Sequence, residues 1–489
     1  MVTCEQMRAA EAAYVEKGGS LDELTRQVGR EIARALIQHF PGPAKVVAYL
    51  GKGNNATDAL IALKHLQASG WSIGVRCGFD ASEWSELAQE TYQSLKLNAT
   101  AEPEFEIKKV ILLDALIGIG GSGALRPPLA ELADEMNQLR ASGRVEVVAI
   151  DLPSGVDADT GEVHPGAVTA DLTLSVGAMK VGLVQESAIN SVGRLAELQM
   201  PGLSCPLHAD FELLTAKRIA DRLPVFEFDT HKGMAGRVGV LVGHSGMRGA
   251  ANLSARAALA GGAGLVTLFC LRKDLMVMES TKPDEVMVKA VKDWTEISDA
   301  DLDALVIGPG LGELDQAEES ALWQLISKTS AKLVLDAGLM GMIGNSERRS
   351  EIPASAVLTP HPGEFCKLAP DLADLPRFEQ VAAFTSRSPA CLVLKGARTL
   401  VGQNGEKIAI NSTGTSGMAT PGQGDCLAGL IAAFLGSGVP SYAAATLAVW
   451  LAGRAAERAI ITQSPRSLNT SQTIAELGAA MDDLRCRVF

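Results

Sequence analysis

The chain is expected to fold as two tandem α/β domains, each a parallel, doubly wound sheet with helices on both faces. Three observations carry this. Short apolar runs alternate with helical patterns along most of the sequence, as βαβ units do. The runs end again and again in glycine-rich or acidic turns, the composition of a ligand-binding strand edge. A chain of 489 residues also exceeds one ordinary core, so two domains are the natural division.

Composition narrows the function. Hydrophobic residues make up 47% and charged residues 21% of the chain, which fits a compact globular enzyme. The net charge of −13 argues against a nucleic-acid partner. It leaves room for an anionic ligand held by local amides and lysines. Eight cysteines without a CxxC pair fit reduced thiols in the cytoplasm. The histidines show no HExxH spacing, and the polar N-terminus starts an amphipathic helix rather than a secretory signal. The apolar run 430–451 is broken by Gly436, Ser437, Gly438, Pro440 and Ser441. Two buried helices are predicted there, and no membrane partner.

In the first domain, residues 46–50 read as a strand that ends in Gly51-Lys-Gly-Asn-Asn55. A helix follows through Ala59, Leu60, Leu63 and Leu66, closed by Gly70. Further strands are predicted at 73–77, 110–113 and 145–150. Around 206–231 the strands give way to charged residues, so the domains are read as 1–210 and 231–489 with 211–230 as a linker. The second domain is expected to have strands at 239–242, 265–269, 304–307, 333–335, 356–358 and 392–394, and a helix at 250–259.

The chemistry-bearing residues sit at these strand ends. Gly417-Met-Ala-Thr-Pro-Gly-Gln-Gly-Asp425 leads into an apolar helix. Its amides and helix dipole suit a phosphate, and Asp425 at the helix mouth is placed to take a proton from a hydroxyl. Lys395 supplies the positive charge that amides lack. His361 is braced between prolines, and Gly310 permits close backbone approach. In the first domain, Asn55, Asp114 and Ser154 offer oxygens to a hard cation, Asp58 is read as a helix cap, and Asp151 faces the crevice as an acid or base. A glycine turn before a core helix, with Asp425 as its N-cap, is the competing structural reading of the main motif. No GxSxG elbow, Cys/His pairing or GxGxxG at the first strand supports a serine hydrolase or an ordinary dehydrogenase.

Taken together, His231-Lys-Gly, Gly262-Ala-Gly-Leu-Val266, Gly308-Pro-Gly-Leu-Gly312, Thr359-Pro-His-Pro-Gly-Glu364, Lys395-Gly-Ala and the 417–425 motif resemble the ADP/ATP-dependent NAD(P)H-hydrate dehydratase family. Gly53-Asn-Asn55, Asp114-Ala-Leu-Ile-Gly118, Asp151-Leu-Pro-Ser-Gly155 and Lys180 resemble the NAD(P)H-hydrate epimerase domain, and the order matches bacterial bifunctional repair enzymes. The resemblance implies a Rossmann-like first domain and a ribokinase-like second one. It implies epimerisation of the R and S hydrates NADHX and NADPHX, and dehydration of the S form with ADP or ATP. It assigns the hydrate to Asn54, Asn55, Ala56, Thr57, Asp58, Gly118, Ile119, Gly120, Gly121, Ser122, Gly123, Ala124 and Asp151 in the first domain, and to Ala250, Gly310, His361 and Asp425 in the second. The adenine nucleotide, with magnesium, falls to Lys395, Gly396, Ala397, Arg398, Thr399 and Gly424. A potassium ion falls to Asn55, Asp114 and Ser154, and a homo-oligomer is expected.

Some positions depart from these patterns. Ala56, Thr57 and Ala59 stand where the epimerase loop usually has glycines, so a strained or shifted loop and a slow epimerase are expected. Pro421 and Gln423 replace the usual small residues, and Asp336-Ala-Gly-Leu lacks the second acid of Asp-Ala-Asp-Ala-Leu. A ribokinase-like small-molecule kinase, or a dehydratase with a non-catalytic ligand-binding first half, are the alternative readings.

Overall fold

The structure, a computed structural model, describes residues 1–40, 42–97, 110–121, 123–206, 210–243, 246–312, 314–344 and 350–487. The chain forms two compact units, Met1–Ala209 and Asp210–Val488. Among the described residues no helix is long and apolar enough to cross a membrane.

The first unit holds six parallel strands: β1 Lys45–Leu50, β2 Ser72–Cys77, β3 Val110–Ala115, β4 Val145–Ile150, β5 Leu172–Val176 and β6 Arg194–Leu198. Their order is β2-β1-β3-β4-β5-β6. Neighbouring residues on one strand serve opposite faces, as the pleat requires. Ile111 and Leu113 join a core with the helices Leu21–His39 and Asn54–Ala68. Val110 and Leu112 join another with the helix Leu129–Ala141. Three layers result. The helix Leu21–His39 shows why the local sequence complies: Ser20 caps it by accepting from Glu23 N–H, and Leu24, Val28, Ile32 and Leu36 bury one stripe. Strands β5 and β6 were not predicted. β5 (Leu-Thr-Leu-Ser-Val) interleaves hydroxyls that are buried only because Thr173 and Ser175 donate to the carbonyls of Val192 and Ala178. β6 (Arg-Leu-Ala-Glu-Leu) has helix-favouring residues overruled by pairing with β5.

The second unit holds β7 Phe211–Leu214, β8 Arg237–Leu241, β9 Leu265–Leu271, β10 Met287–Val291, β11 Ala304–Ile307, β12 Lys332–Leu335, β13 Val357–Leu358, β14 Cys391–Leu394, β15 Leu400–Gly402 and β16 Ile408–Asn411. The sheet runs β10-β9-β8-β11-β12-β13-β14-β15-β16-β7. It is parallel except that β15 lies antiparallel to both neighbours. Residues 211–230, read above as a linker, therefore open with an edge strand of the second sheet: β7 pairs with β16, and Ser412 Oγ donates to Leu214 O (2.6 Å). Four residues are too short for a periodicity to show, and the pairing partner lies nearly two hundred residues downstream.

The interrupted apolar run forms the helices Gln423–Gly436 and Ser441–Ala459, with Trp450 wholly buried between them and the sheet core. Helix Gln423–Gly436 crosses helix Arg248–Ala260 closely. A Cβ at Gly429 would lie 2.0 Å from the Ser254 carbonyl oxygen, while Ser254 Oγ donates to Asp425 O (2.9 Å). Only glycine allows that approach. Gly429→Ala is expected to destabilise the second unit by about 1–3 kcal/mol through overpacking. Denaturant unfolding checks this: the midpoint of the second unit should fall while that of the first stays in place, and an unmoved midpoint would show that the two helices separate freely.

Candidate functional site

In each unit the predicted residues collect at the carboxyl ends of parallel strands, beside the point where the chain reverses direction across the sheet. In the first unit that point lies between β1 and β3. Asn54 opens the helix Asn54–Ala68, capped by Gly53 rather than by Asp58. Asn55 donates from Nδ2 to Ile150 O (3.0 Å), which ties the start of the helix to the end of β4. Its side-chain oxygen lies beside Gly118, where a Cβ would come within 2.6 Å of Oδ1.

Asp114, at the end of β3, is 1% exposed. It accepts from Ser154 N–H (2.8 Å), Ser154 Oγ (2.7 Å) and Leu116 N–H (3.2 Å). Ile117 N–H in turn donates to Ser154 Oγ (3.0 Å). Burial pushes the Asp114 carboxyl up to about 6 against the pull of these hydrogen bonds. Among the described residues no lysine or arginine pairs with it. Asp114 and Ser154 are thus brought together, with Asn55 against the neighbouring Gly118 turn, and the oxygens of all three are the ligand type that suits a hard ion.

Asp151 takes a left-handed conformation (φ 68°) at the end of β4. Its carboxylate forms a buried ion pair with Lys180 and also accepts from Val176 N–H (3.2 Å). Lys180 Nζ donates further to Val176 O (2.7 Å). Asp58 is buried one turn into its helix. Desolvation, followed by the charges of Asp151 and Glu11, raises its carboxyl well above the carboxylate range. A cavity of about 240 Å³ is lined by Gly118, Gly121, Gly123 and Ala124 together with Arg126 and His164. Ile119 and Gly120 belong to the same turn, whereas Ser122 lies outside the described residues. The expected strain at Ala56 and Thr57 is absent. Both lie inside the helix, neither has a positive φ, and both side chains are buried, with Thr57 Oγ1 3.3 Å from Ser85 Oγ.

In the second unit the reversal lies between β8 and β11. Gly310 has φ 70° and sits against Met247, one residue before the helix Arg248–Ala260 that carries Ala250. His244 and Ser245 of the intervening loop lie outside the described residues. His361 caps the helix Pro362–Leu368, accepting from Glu364 N–H (3.3 Å) while Glu364 accepts from His361 N–H (2.8 Å). Its side chain remains 56% exposed.

Asp425 is neither cap nor loop. Helix Gln423–Gly436 is capped by Gly422 at φ 92°, with no side chain serving the cap. Its first backbone bond runs from Cys426 N–H to Gly422 O (2.9 Å), which leaves the amides of Gln423, Gly424 and Asp425 outside the helical ladder. Lys395, at the end of β14, stands over this terminus, since a Cβ at Gly424 would lie 3.3 Å from its Nζ. Lys395 is not a lone cation. It pairs with Asp336 (2.9 Å) and Glu364 (3.6 Å). Burial works to lower its pKa, but these two carboxylates outweigh it and hold the ammonium above the ordinary lysine value. Desolvation and then the Asp336 charge, opposed by Lys395, raise Asp425 to about 6.

The turn after β14 is built for shape. Thr399 Oγ1 donates to Gly396 O (3.0 Å), and Arg377 Nη2 donates to the carbonyls of Leu394 (3.1 Å) and Lys395 (3.2 Å). Gly396 and Ala397 are exposed, while Arg398 and Thr399 are buried. Asp336 and Glu364 were missed as site residues. An acid ending a short apolar run was the signal for Asp336, and its meaning appears only once β12 is placed between β11 and β13.

Residues 21–182 match the family described as YjeF-related protein N-terminus, and residues 238–477 match NAD(P)H-hydrate dehydratase. The bifunctional NAD(P)H-hydrate repair enzyme of Moorella thermoacetica is 32% identical over 91% of this chain and 89% of its own length. That of Coxiella burnetii is 31% identical over 95% of each. The second unit also resembles solved structures. A ribokinase-like superfamily protein from Enterococcus faecalis has a TM-score of 0.50 at 23% identity, covering 57% of this chain and 99% of that one. A hypothetical protein of Streptococcus mutans has a TM-score of 0.51 at 25% identity, covering 56% and 100%. The fold of the second unit is ribokinase-like, and alignment along nine-tenths of the sequence with such relatives means that the chain belongs to the bifunctional NAD(P)H-hydrate repair enzyme family.

Proposed function

We propose that the first unit interconverts the R and S hydrates of NADH and NADPH, and that the second returns the S form to NAD(P)H at the expense of ADP or ATP. The observation that carries the reading is the convergence of Lys395, the free amides around Gly424 and the raised carboxyl of Asp425 at one helix terminus. Such a terminus binds phosphate. Asp425 takes the proton of the hydrate hydroxyl as that oxygen attacks the terminal phosphorus and the nucleotide departs. Phosphate then leaves with the C–O bond, the neighbouring ring carbon loses a proton, and the ring double bond is restored. Lys395 balances the phosphoryl charge while Asp336 and Glu364 fix its position. Ala250, Gly310 and His361 flank the hydrate, and Gly396, Ala397, Arg398 and Thr399 shape the nucleotide turn. Magnesium, when bound with the nucleotide, supplies charge neutralisation at the phosphates.

In the first unit, Asn54 to Asp58 and the 118–124 turn border the hydrate, with Asp151 as the acid or base. Asn55, Asp114 and Ser154 hold potassium, which when bound supplies a positive charge beside the buried carboxylate. Ala56 and Thr57, as unstrained helical residues, remove the reason for expecting a slow epimerase or a non-catalytic first half. All eight cysteines are free, in keeping with a cytoplasmic setting.

Asp425→Asn keeps the shape and removes the base, so turnover of the S hydrate should fall on the order of 10²–10⁴-fold. A stable phosphorylated product would instead support the kinase reading. In the wild type the rate should decline as pH falls through about 6, where Asp425 takes up its proton. Asp336→Asn deletes a neighbouring negative charge, so Asp425 becomes more acidic and the falling limb should move to lower pH. A limb that stays in place, measured on kcat, would remove Asp336 from the electrostatics of this site. For the first unit, potassium should raise the thermal midpoint more than lithium does at equal ionic strength. Asp114→Asn should abolish the difference, and zinc removable only with loss of activity would contradict the assignment.

A further inference from the structure

The first helix, Cys4–Glu16, lies before the matched family region, which begins at residue 21, and none of the assignments above uses it. Yet it is fastened to the first crevice. Val2 N–H donates to Met179 O (2.8 Å), and Val181 N–H donates to Val2 O (3.1 Å) on either side of Lys180. Cys4 N–H donates to Asp159 Oδ1 (2.7 Å). Met7 is buried with Val2 and Ala178 beside Ile119, Leu203 and Cys205. Next to it, Arg8 Nη2 donates to Ile119 O (2.8 Å), inside the turn that borders the hydrate. Residues three apart share a helix face, so Glu11 follows Arg8 toward the same crevice, half-buried.

We propose that this helix is a wall of the hydrate site, in which Arg8 holds the turn at residues 118–121 and Glu11 presents a second carboxyl to the Asp151–Lys180 pair. The inference rests on the epimerase reading of the first unit. The chemistry gives such a carboxyl work to do. Inverting a carbon that bears both a hydroxyl and a ring nitrogen requires a proton to reach the departing oxygen. The C–O bond then breaks as water leaves, and the nitrogen lone pair closes a C=N bond. Water returns on the other face and gives up one proton, so protons balance over the cycle. Asp151 is engaged by Lys180, and a second carboxyl beside the pair complements it. Burial, and then the charge of Asp151, push Glu11 above its ordinary value, with Lys180 and Arg8 opposing. Asp58 faces the same cluster from its own helix, and Cys205 lies within reach of Glu11 and Lys180. Arg8 is a positioning residue that acts through the turn, and Glu11 is the proton donor proposed beside the ion pair.

The test uses the full chain and R-NADHX with ADP, with the rate on S-NADHX reporting the amount of folded protein in each sample. Arg8→Ala loses a charged hydrogen bond and should raise KM for the R hydrate about tenfold, with a smaller change in kcat. Glu11→Gln should lower kcat on the R hydrate about tenfold without raising KM. Glu11→Asp should recover part of the rate. Asp151→Asn is the benchmark. If it abolishes R-hydrate turnover while Glu11→Gln and Arg8→Ala behave as wild type, the helix is scaffolding and the inference fails. If Asp151→Asn itself retains full turnover, the epimerase reading falls, and the inference with it.

Discussion

In each unit the chain leaves a central strand to one side of the sheet and later returns on the other. The carboxyl ends of those two strands cannot be covered by the same crossover, and the candidate residues gather along the sheet edge on which that gap opens. β1 and β3 flank it in the first unit, β8 and β11 in the second. Because the strands around it are parallel, their turns open on the same edge. Gly51, Asp114 and Asp151 therefore meet in one unit, and Gly243, Gly308, Asp336, Thr359 and Lys395 in the other.

Both crevices hold a lysine engaged with acids in a largely dry setting. Lys180 pairs with Asp151, and Lys395 with Asp336 and Glu364. A buried charge pair adds little net stability, but removing one partner strands the other at several kcal/mol. Such pairs hold side chains in place rather than stabilise the fold. The second crevice adds a helix terminus without a side-chain cap, so its orphan amides and the lysine address one point together. The close crossing at Gly429 sets where that terminus lies.

The βα alternation was legible because fully buried strands such as β3, β11 and β14 are continuous apolar runs closed by turn residues. β5, β6, β7, β10, β15 and β16 were not; in β5, β6 and β7 the residues are half polar or helix-favouring and only pairing partners make them strands. That Asp114 and Ser154 are neighbours was readable from strand ends alone, as was the place of Asp425 in the first turn of the helix after its glycines. The strain expected at Ala56 and Thr57 is absent. The helix begins at Asn54, so a backbone that was assumed to be loop is ordinary right-handed helix, where a Cβ costs nothing.

What the sequence determined by itself was therefore local: the order of apolar runs, the turn residues that close them, and the chemistry those turns carry. Backbone sterics and side-chain polarity act within a few residues and leave their mark in spacing. The tertiary structure decided which of those turns meet. It set Lys395 between Asp336 and Glu364, three side chains from β14, β12 and the helix after β13. It placed Arg8 against the first crevice, more than a hundred residues before the turn it touches. Ion pairs and desolvation depend on distance in space, and no spacing along a chain encodes a distance that only the packed sheet creates.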